Sequence, residues 1–258
     1  MSSIDWASTL ALPPCVRRFE RTIPTHVLLR EADLTRTQRE GLRKIEGLTL
    51  LGVAQESTTR IPATAAMDRR IDAVLFVRAS LGKTRAFEST AALVHGCFPH
   101  PSLLIQENTR GDVCLSAALT SRRKRATGLN VDSMEVDSSI ALWRRTEHGK
   151  AFLSALAFDA IDQRSLTHLT EDIMARIRLA RIARLVGFYP DPVVCRSSDV
   201  VELIERLLEC QSRQDRLRAQ WKRHATTQRE RLRLRIPLSE AINQTKAAVD
   251  ELTRRLGR

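Results

Sequence analysis

The sequence is poor in aromatic residues and has no long apolar run. Phe, Trp and Tyr make up 4% of the 258 residues, and there is one tyrosine. A core must therefore be built mainly from Leu, Ile, Val and Ala, which the 43% share of hydrophobic residues allows. No stretch approaches the roughly 20 apolar residues that cross a bilayer, so we expect no membrane contact. No basic residues precede an apolar stretch at the N-terminus, so we expect no secretory signal.

Cysteines are few and scattered. The chain has five, and no two form a Cys-x-x-Cys pair, which argues against a disulfide framework or a zinc ribbon. His95, Cys97 and His100 lie close together, but zinc takes about four ligands and no second pair lies at a suitable spacing. We therefore predict no metal, no cofactor and a cytoplasmic location.

Signatures of common enzymes are also missing. Gly82-Lys83-Thr84 follows a predicted strand, but Val77 stands where a phosphate-binding loop needs its first glycine. No Asp or Glu is followed two positions later by Lys, the usual pattern of restriction-type nuclease sites. Asp68 and Asp72 flank the clearest strand, so a divergent metal-dependent nuclease stays open as an alternative.

Positive charge is what the sequence does have. The chain contains 42 Lys and Arg against 30 Asp and Glu, a net charge of +12, and its pI is about 10.5. Such an excess predicts an acidic partner, with nucleic acid the first expectation. The excess is concentrated: residues 210–235 hold nine Lys or Arg against two acidic residues, and residues 122–125 are all basic.

Both basic segments are candidate phosphate-binding surfaces, with DNA the expected ligand. Arginine presents a planar fork of donors to phosphate oxygens, and clustered cations gain from counterion release. The predicted nucleic-acid-binding residues are Arg122, Arg123, Lys124, Arg125, Arg213, Arg216, Arg218, Lys222, Arg223 and Arg229. Two alternatives stay open: a solvated loop at 122–125, and a helix face at 210–235 that is either solvated or binds an acidic protein.

Patterns of a mixed α and β domain fill the region up to residue 148. Asp33 and Thr35 are candidate N-caps for a helix to about Glu46, and a second helix is predicted over Lys83–His95. The predicted strands are Leu48–Ala54, Ile71–Ala79, Ser102–Gln106, Val113–Leu119 and Leu129–Val136. Hairpin-like connections favour antiparallel pairing. We therefore predict an α+β fold with a mostly antiparallel sheet and helices on one face.

Helical periodicity dominates the rest of the chain. A long amphipathic helix over about 166–185 is followed by a rigid break at Phe188–Pro192. Beyond it, apolar positions alternate by three and four residues, as in a coiled coil, and Pro237 is expected to interrupt the helix. The predicted partner-helix seam is Leu203, Leu207, Leu217, Trp221, Ile242, Val249 and Leu252.

The predicted organisation therefore has three parts. They are an α+β domain at 1–148, a helical linker at 149–192 and a basic, coiled-coil-like helical hairpin at 193–258. The spacing leaves open whether the hairpin packs on itself or on another chain.

The order of these elements resembles an uncharacterised bacterial family of domains of unknown function. The resemblance covers roughly residues 10 to 255 and is carried by Ile23-Pro24, the strand Ile71–Val77, Phe98-Pro-His-Pro101 and the basic run at 227–235. Members of that family tend to lie beside helicases and DNA methyltransferases in restriction-like anti-phage gene clusters. The resemblance implies a helicase or methyltransferase as protein partner and carries over no catalytic residue.

We therefore expect a non-enzymatic accessory subunit of a bacterial anti-phage defence complex. Its α+β domain would dock on a helicase or methyltransferase, and its basic helical arm would contact nucleic acid. Besides the nuclease, a coiled-coil scaffold without a nucleic-acid role stays open, because surface charge also serves solubility.

Overall fold

The computed structural model describes residues 4–257 except 25, 27, 29–33, 67–68, 85, 121–130, 138–145 and 225–227, and the side chains of 65–66, 69–70, 223–224 and 228–231 also lie outside the description. The chain forms two compact units, Met1–Arg181 and Ile182–Arg258. The described strands are β1 Arg21–Thr22, β2 Ile45–Gln55, β3 Thr64–Ala66, β4 Arg69–Ile71, β5 Ala73–Leu81, β6 Ser102–Asn108, β7 Val113–Thr120 and β8 Val131–Asp137. The described α-helices are α1 Trp6–Thr9, α2 Pro14–Arg17, α3 Arg36–Leu42, α4 Glu56–Thr59, α5 Phe87–Gly96, α6 Glu147–Ala155, α7 Leu166–Val186, α8 Ser198–His224 and α9 Gln228–Arg255.

A six-stranded sheet in the order β1-β2-β5-β6-β7-β8 organises the first unit. Neighbouring strands of this sheet pair antiparallel, except that β5 and β6 are parallel. These two strands are parallel because α5, which connects them in the chain, returns the chain to the end of the sheet where β5 began. Strands β3 and β4 form a separate antiparallel pair. The predicted α+β class, with its mostly antiparallel sheet and C-terminal helices, is confirmed.

The main core lies between one face of this sheet and helices α3 and α5. Val77 of β5 and Leu104 of β6 project from that face and belong to the same buried cluster as Phe87, Ala91 and Leu42 on the helices. Residues 75, 77, 79 and 81 all belong to this cluster, as the two-residue period of a strand requires.

Short helices also lie against the opposite face. Phe76 points there, and its ring centroid is 6.0 Å from that of Phe158 in a 3-10 turn. Gly52 leaves room for α2, because a Cβ at this position would lie 2.7 Å from a Val16 methyl carbon. Trp6 of α1 is buried, and its ring nitrogen donates to Glu107 on β6 (2.9 Å).

In the first unit, the predicted elements agree with the observed ones to within a few residues, with one exception. Thr35, one of the two candidate N-caps, caps α3, and it does so in a capping box with Gln38. The predicted strand Ile71–Ala79 is divided at Asp72, because Ile71 pairs with Thr64 in the small hairpin. The parallel pairing of β5 and β6 was not predicted, since strand direction depends on the path of α5.

Polar contacts hold the first turns of α7 in place. Arg176 and Asp172 are buried and form an ion pair (2.9 Å). The Arg176 guanidinium also donates to the carbonyls of Ala155 (2.6 Å) and Ala160 (2.7 Å), which ties the segment before α7 to the helix. Such a buried charge is tolerated because its donors are matched by acceptors.

The second unit contains an antiparallel helical hairpin. Helices α8 and α9 pair along their length, with Arg206 bonded to Glu251 (3.2 Å) and Arg213 to Gln244 (3.3 Å). Pro237 was expected to interrupt the second arm, but α9 runs through it. A proline inside a helix removes one hydrogen bond, here that to the Arg233 carbonyl, and the paired helix tolerates this loss.

Among the described residues, no helix has both the length and the apolar composition needed to cross a bilayer.

Candidate nucleic-acid interface

The hairpin is held together by a narrow seam of small and aliphatic side chains. The buried residues are Val200, Ile204, Leu207 and Gln214 on α8 and Ala241, Thr245, Ala248 and Leu252 on α9. They repeat at the three- and four-residue spacing of a coiled coil. The two alanines allow close approach of the helix backbones, so this arm needs few large side chains.

The structure places the predicted seam residues unevenly. Leu207 and Leu252 are buried, whereas Leu203, Leu217, Trp221 and Val249 are half-buried. Ile242 is 40% exposed, and the neighbouring Ala241 takes the buried position. The periodicity of bulky residues does not reveal Ala241 and Ala248 as seam positions, because alanine carries little hydrophobic signal.

The predicted cations of α8 differ in their freedom to bind a ligand. Arg213 donates to Gln244 across the hairpin (3.3 Å). With its amide oxygen facing the guanidinium, Gln214 accepts from Arg218 (2.8 and 3.1 Å) and donates to the Thr245 hydroxyl (2.9 Å). Both arginines therefore contribute to the edge of the seam. Arg216 and Lys222 are exposed, and neither forms an ion pair within the described part of the chain.

Charge is segregated along the hairpin. At its base, where α8 begins and α9 ends, Asp199 pairs with Arg255, and Arg206 pairs with Glu251 at 3.2 Å. These residues line an open cleft of about 650 Å³ together with Glu202, Leu203 and Arg254. Towards the other end, acidic residues become rare, since residues 210–235 hold nine cations against two carboxylates. The base is therefore electrostatically mixed, and the distal end is basic.

The outward stripe of α8 shows the same change of sign. At about 100° per residue, Glu202, Glu205 and Glu209 lie on the side away from the seam, and Arg216 continues that stripe. All four side chains are exposed. Acidic groups near the start of a helix and basic groups near its end suit the helix dipole, but that effect is confined to the terminal turns. It therefore does not account for cations in the middle of α8.

An exposed apolar pair accompanies the distal cations. Leu232 is 57% and Ile236 67% exposed, and they lie one turn apart on α9. Thr245 is a seam residue, and Ile236 lies nine residues before it, which is two and a half helical turns. Ile236 is therefore on the opposite side of α9, and the pair faces away from the seam. Arg233 and Arg235 beside it are exposed as well.

Several predicted residues fall outside the described part of the chain. Arg122, Arg123, Lys124 and Arg125 lie in the undescribed stretch 121–130, and the side chains of Arg223 and Arg229 are also outside the description. Asp68, one of the two carboxylates considered for a nuclease, is also outside the described residues. The other, Asp72, is half-buried between β4 and β5.

The residues considered as metal ligands have another environment. His95 is buried in the last turn of α5, with Nδ1 2.7 Å from the Ser102 hydroxyl and Nε2 2.9 Å from the Ser116 hydroxyl. Burial lowers the pKa of His95 to about 3 and raises the pKa of the Cys97 thiol to about 12. Both are therefore neutral at neutral pH. In the described ranges, no three or more His, Cys, Asp or Glu side chains are grouped so as to hold a metal ion.

Comparison with known proteins places the chain in a family. No curated protein and no solved structure gives a significant match. The sequence profile of the family described as Domain of unknown function (DUF4391) matches residues 10–244, which is most of the chain. The match agrees with the resemblance to a family of unknown function. The chain belongs to the DUF4391 family.

Proposed function

We propose that this protein is a non-enzymatic accessory subunit that binds nucleic acid through the distal end of its helical hairpin. The segregation of charge along the hairpin supports this proposal most directly. Exposed Arg216, Lys222, Arg233 and Arg235 lie where acidic side chains are few, whereas Arg206 and Arg255 at the base form ion pairs. A face that served solubility alone would gain from mixing both signs.

The contacts would be made to phosphates rather than to base edges. Each cation that neutralises a phosphate releases a condensed counterion, and this supplies affinity without reading sequence. From Arg213 to Lys222, α8 rises by about 14 Å, which lets the exposed cations reach several successive phosphates. DNA is the expected ligand.

The biological setting is part of the proposal. We place the subunit in a bacterial, restriction-like anti-phage complex, with a helicase or DNA methyltransferase as its protein partner and the α+β unit as the docking domain. The resemblance noted from the sequence supports this setting by association only. Copurification of the tagged protein with the products of its neighbouring genes tests it. Recovery of no helicase or methyltransferase would contradict the assignment.

Charge reversal at the hairpin tests the nucleic-acid contact. The variant Arg216→Glu with Lys222→Glu is expected to lower affinity for a 30-base-pair DNA duplex about tenfold or more at moderate salt, and to reduce the slope of log affinity against log salt by about 2. Both quantities are measured by fluorescence anisotropy over a salt series.

A matched variant controls for net charge. Lys246→Glu with Arg254→Glu removes the same charge from exposed positions nearer the base of the same hairpin. We expect a smaller loss of affinity from this pair. Equal losses in both variants would show that total charge, and not the distal surface, governs binding. An unchanged salt slope in the distal variant would overturn the contact itself.

A further inference from the structure

Three chain segments meet at one edge of the sheet in the first unit. Strands β5 and β6 are parallel, so their carboxyl ends, Leu81 and Asn108, are register partners at the same edge. Strand β2 runs the other way, and its first residue, Ile45, pairs with Leu81. The segments just outside these three strand ends therefore lie at a common edge.

Within the described residues of these segments, four cations are exposed. We call them the carboxyl-edge cations: Arg43, Lys44, Lys83 and Arg110. They are spread over 68 positions of the sequence, so they do not form a basic run that could be recognised in the sequence. Only the pairing of the strands places them together.

Hydrogen bonds hold the two loops at this edge against each other. The Thr109 amide donates to the Gly82 carbonyl (3.3 Å), and the Asn108 side-chain amide donates to the Thr84 carbonyl (3.1 Å). The Asn108 side-chain oxygen accepts from the backbone N–H of Arg110 (3.0 Å) and of Asp112 (2.9 Å). Gly111, with φ of 80°, completes the tight turn. The backbones that carry Lys83 and Arg110 are therefore preorganised.

A basic cleft adjoins the edge. It has a volume of about 380 Å³ and is lined by Leu34, Arg36, Arg39, Glu40 and Arg43. Glu40 pairs with Arg36 (3.2 Å), and Arg39 donates to the Leu34 carbonyl (3.2 Å), which leaves Arg43 as the cleft cation next to Lys44.

The carboxylates near the edge offset the charge of these four cations only in part. The Glu46 carboxylate lies against Gly82, since a Cβ there would be 2.8 Å from Glu46 Oε1. Glu107 is held by Arg78 (2.6 Å) and by Trp6 on the other face of the sheet. Asp112 accepts from the Asn108 amide (3.0 Å) within the turn. Positive charge remains in excess, and like charges gathered at one edge repel unless a ligand supplies negative charge.

We propose that the carboxyl-edge cations form a second phosphate-binding surface, which contacts a nucleic-acid backbone. The inference rests on the proposed function for the identity of the ligand. The surface itself is defined by the loops and by the cleft.

Charge reversal at the edge tests the proposal in the full-length protein. The variant Lys44→Glu, Lys83→Glu and Arg110→Glu is expected to lower affinity for the 30-base-pair duplex about tenfold and to reduce the salt slope by about 2 to 3. A control variant, Arg18→Glu, Arg21→Glu and Lys150→Glu, makes the same charge change at exposed positions of the same unit. Circular dichroism compares their folding, and Lys44→Gln with Lys83→Gln and Arg110→Gln replaces the edge variant if it fails to fold.

The outcomes separate the two surfaces. The second surface is supported if the edge variant loses more duplex affinity than the control variant. The edge substitutions must also cause this loss when they are combined with the hairpin variant. Binding equal to that of the control overturns it while leaving the hairpin proposal intact. A loss in the edge variant alone overturns the hairpin contact, and a wild-type protein that binds no duplex overturns both.

A second probe distinguishes a polymer from a small ligand. Inorganic triphosphate is titrated into the wild-type protein and the edge variant by calorimetry. Triphosphate binding that the edge variant loses, together with unchanged duplex affinity, would assign the edge to a small phosphate ligand and overturn the backbone contact.

Discussion

Two regions of the molecule, helix α7 and the distal end of the hairpin, use arginine in opposite ways. In the α+β unit, Arg176 is 8% exposed and its guanidinium reaches one carboxylate and two backbone carbonyls. Arg178 likewise bonds Glu135 on β8 (2.7 Å). At the distal end of the hairpin, Arg216 is exposed and forms no ion pair with a described residue. The first kind of arginine holds segments together, and the second is available to a ligand.

This difference separates structural from functional charge. A buried guanidinium must have its donors matched, because an unpaired buried charge costs several kcal/mol. An exposed guanidinium is solvated and contributes little to stability whether it is paired or not. The net charge of +12 counts both kinds of arginine together. It therefore overstates the positive charge that is available for binding in the α+β unit. It also does not show where the positive charge lies along the hairpin.

The largest expected effect comes from breaking the buried pair. Arg176→Ala is expected to lower the free energy of unfolding of the α+β unit by about 3 to 5 kcal/mol, because the buried Asp172 carboxylate would lose the Arg176 guanidinium. Urea denaturation followed by circular dichroism measures the change. Arg216→Ala is the matched control and should leave the curve unchanged. Similar curves for the two variants would remove the distinction drawn between the two regions.

The buried histidine predicts a pH dependence in the α+β unit. The pKa of His95 is lowered to about 3 in the fold, against 6.5 in an unfolded chain. As pH falls, His95 is protonated in the unfolded state before it is protonated in the fold. The free energy of unfolding therefore decreases below about pH 6.5, and the decrease reaches about 2 kcal/mol at pH 5.

Urea denaturation at pH 7, 6 and 5 checks this. His95→Gln should remove that part of the slope, whereas replacing the exposed His26 with Gln should retain it. A wild-type slope equal to that of the His95 variant would contradict burial of the neutral ring.

The third effect concerns the hairpin seam. Ala248 is buried between the helices, so Ala248→Leu is expected to overpack the seam and destabilise the hairpin by about 1 to 3 kcal/mol. Hydrogen exchange of peptides from α8 and α9 should then be faster. Ala247→Leu, at the exposed neighbouring position, should leave exchange unchanged. The reverse pattern would show that the seam passes through the other face of α9.

Much of the fold could be predicted because its signals are local. Thr35 and Gln38 form a capping box from neighbouring residues, and Val113–Thr120 is apolar enough to be recognised as a strand. The course of α9 through Pro237 was predicted wrongly, since packing against α8 outweighs the local cost of a proline. The candidate site was predictable in part: Arg216 and Lys222 lie in a visible basic run, whereas Lys83 and Arg110 do not.

Periodicity and charge density along the chain were enough to establish an α+β class, two helical arms and a basic segment. These properties depend on residues within a few turns of one another. The buried side of each arm, the partner of each arginine and the gathering of Lys44, Lys83 and Arg110 at one edge depend on contacts between residues far apart in the chain. Strand pairing of Ile45 with Leu81, and of Leu81 with Asn108, decides that gathering. Hydrogen bonds between distant strands leave no local pattern, so only the tertiary structure could show it.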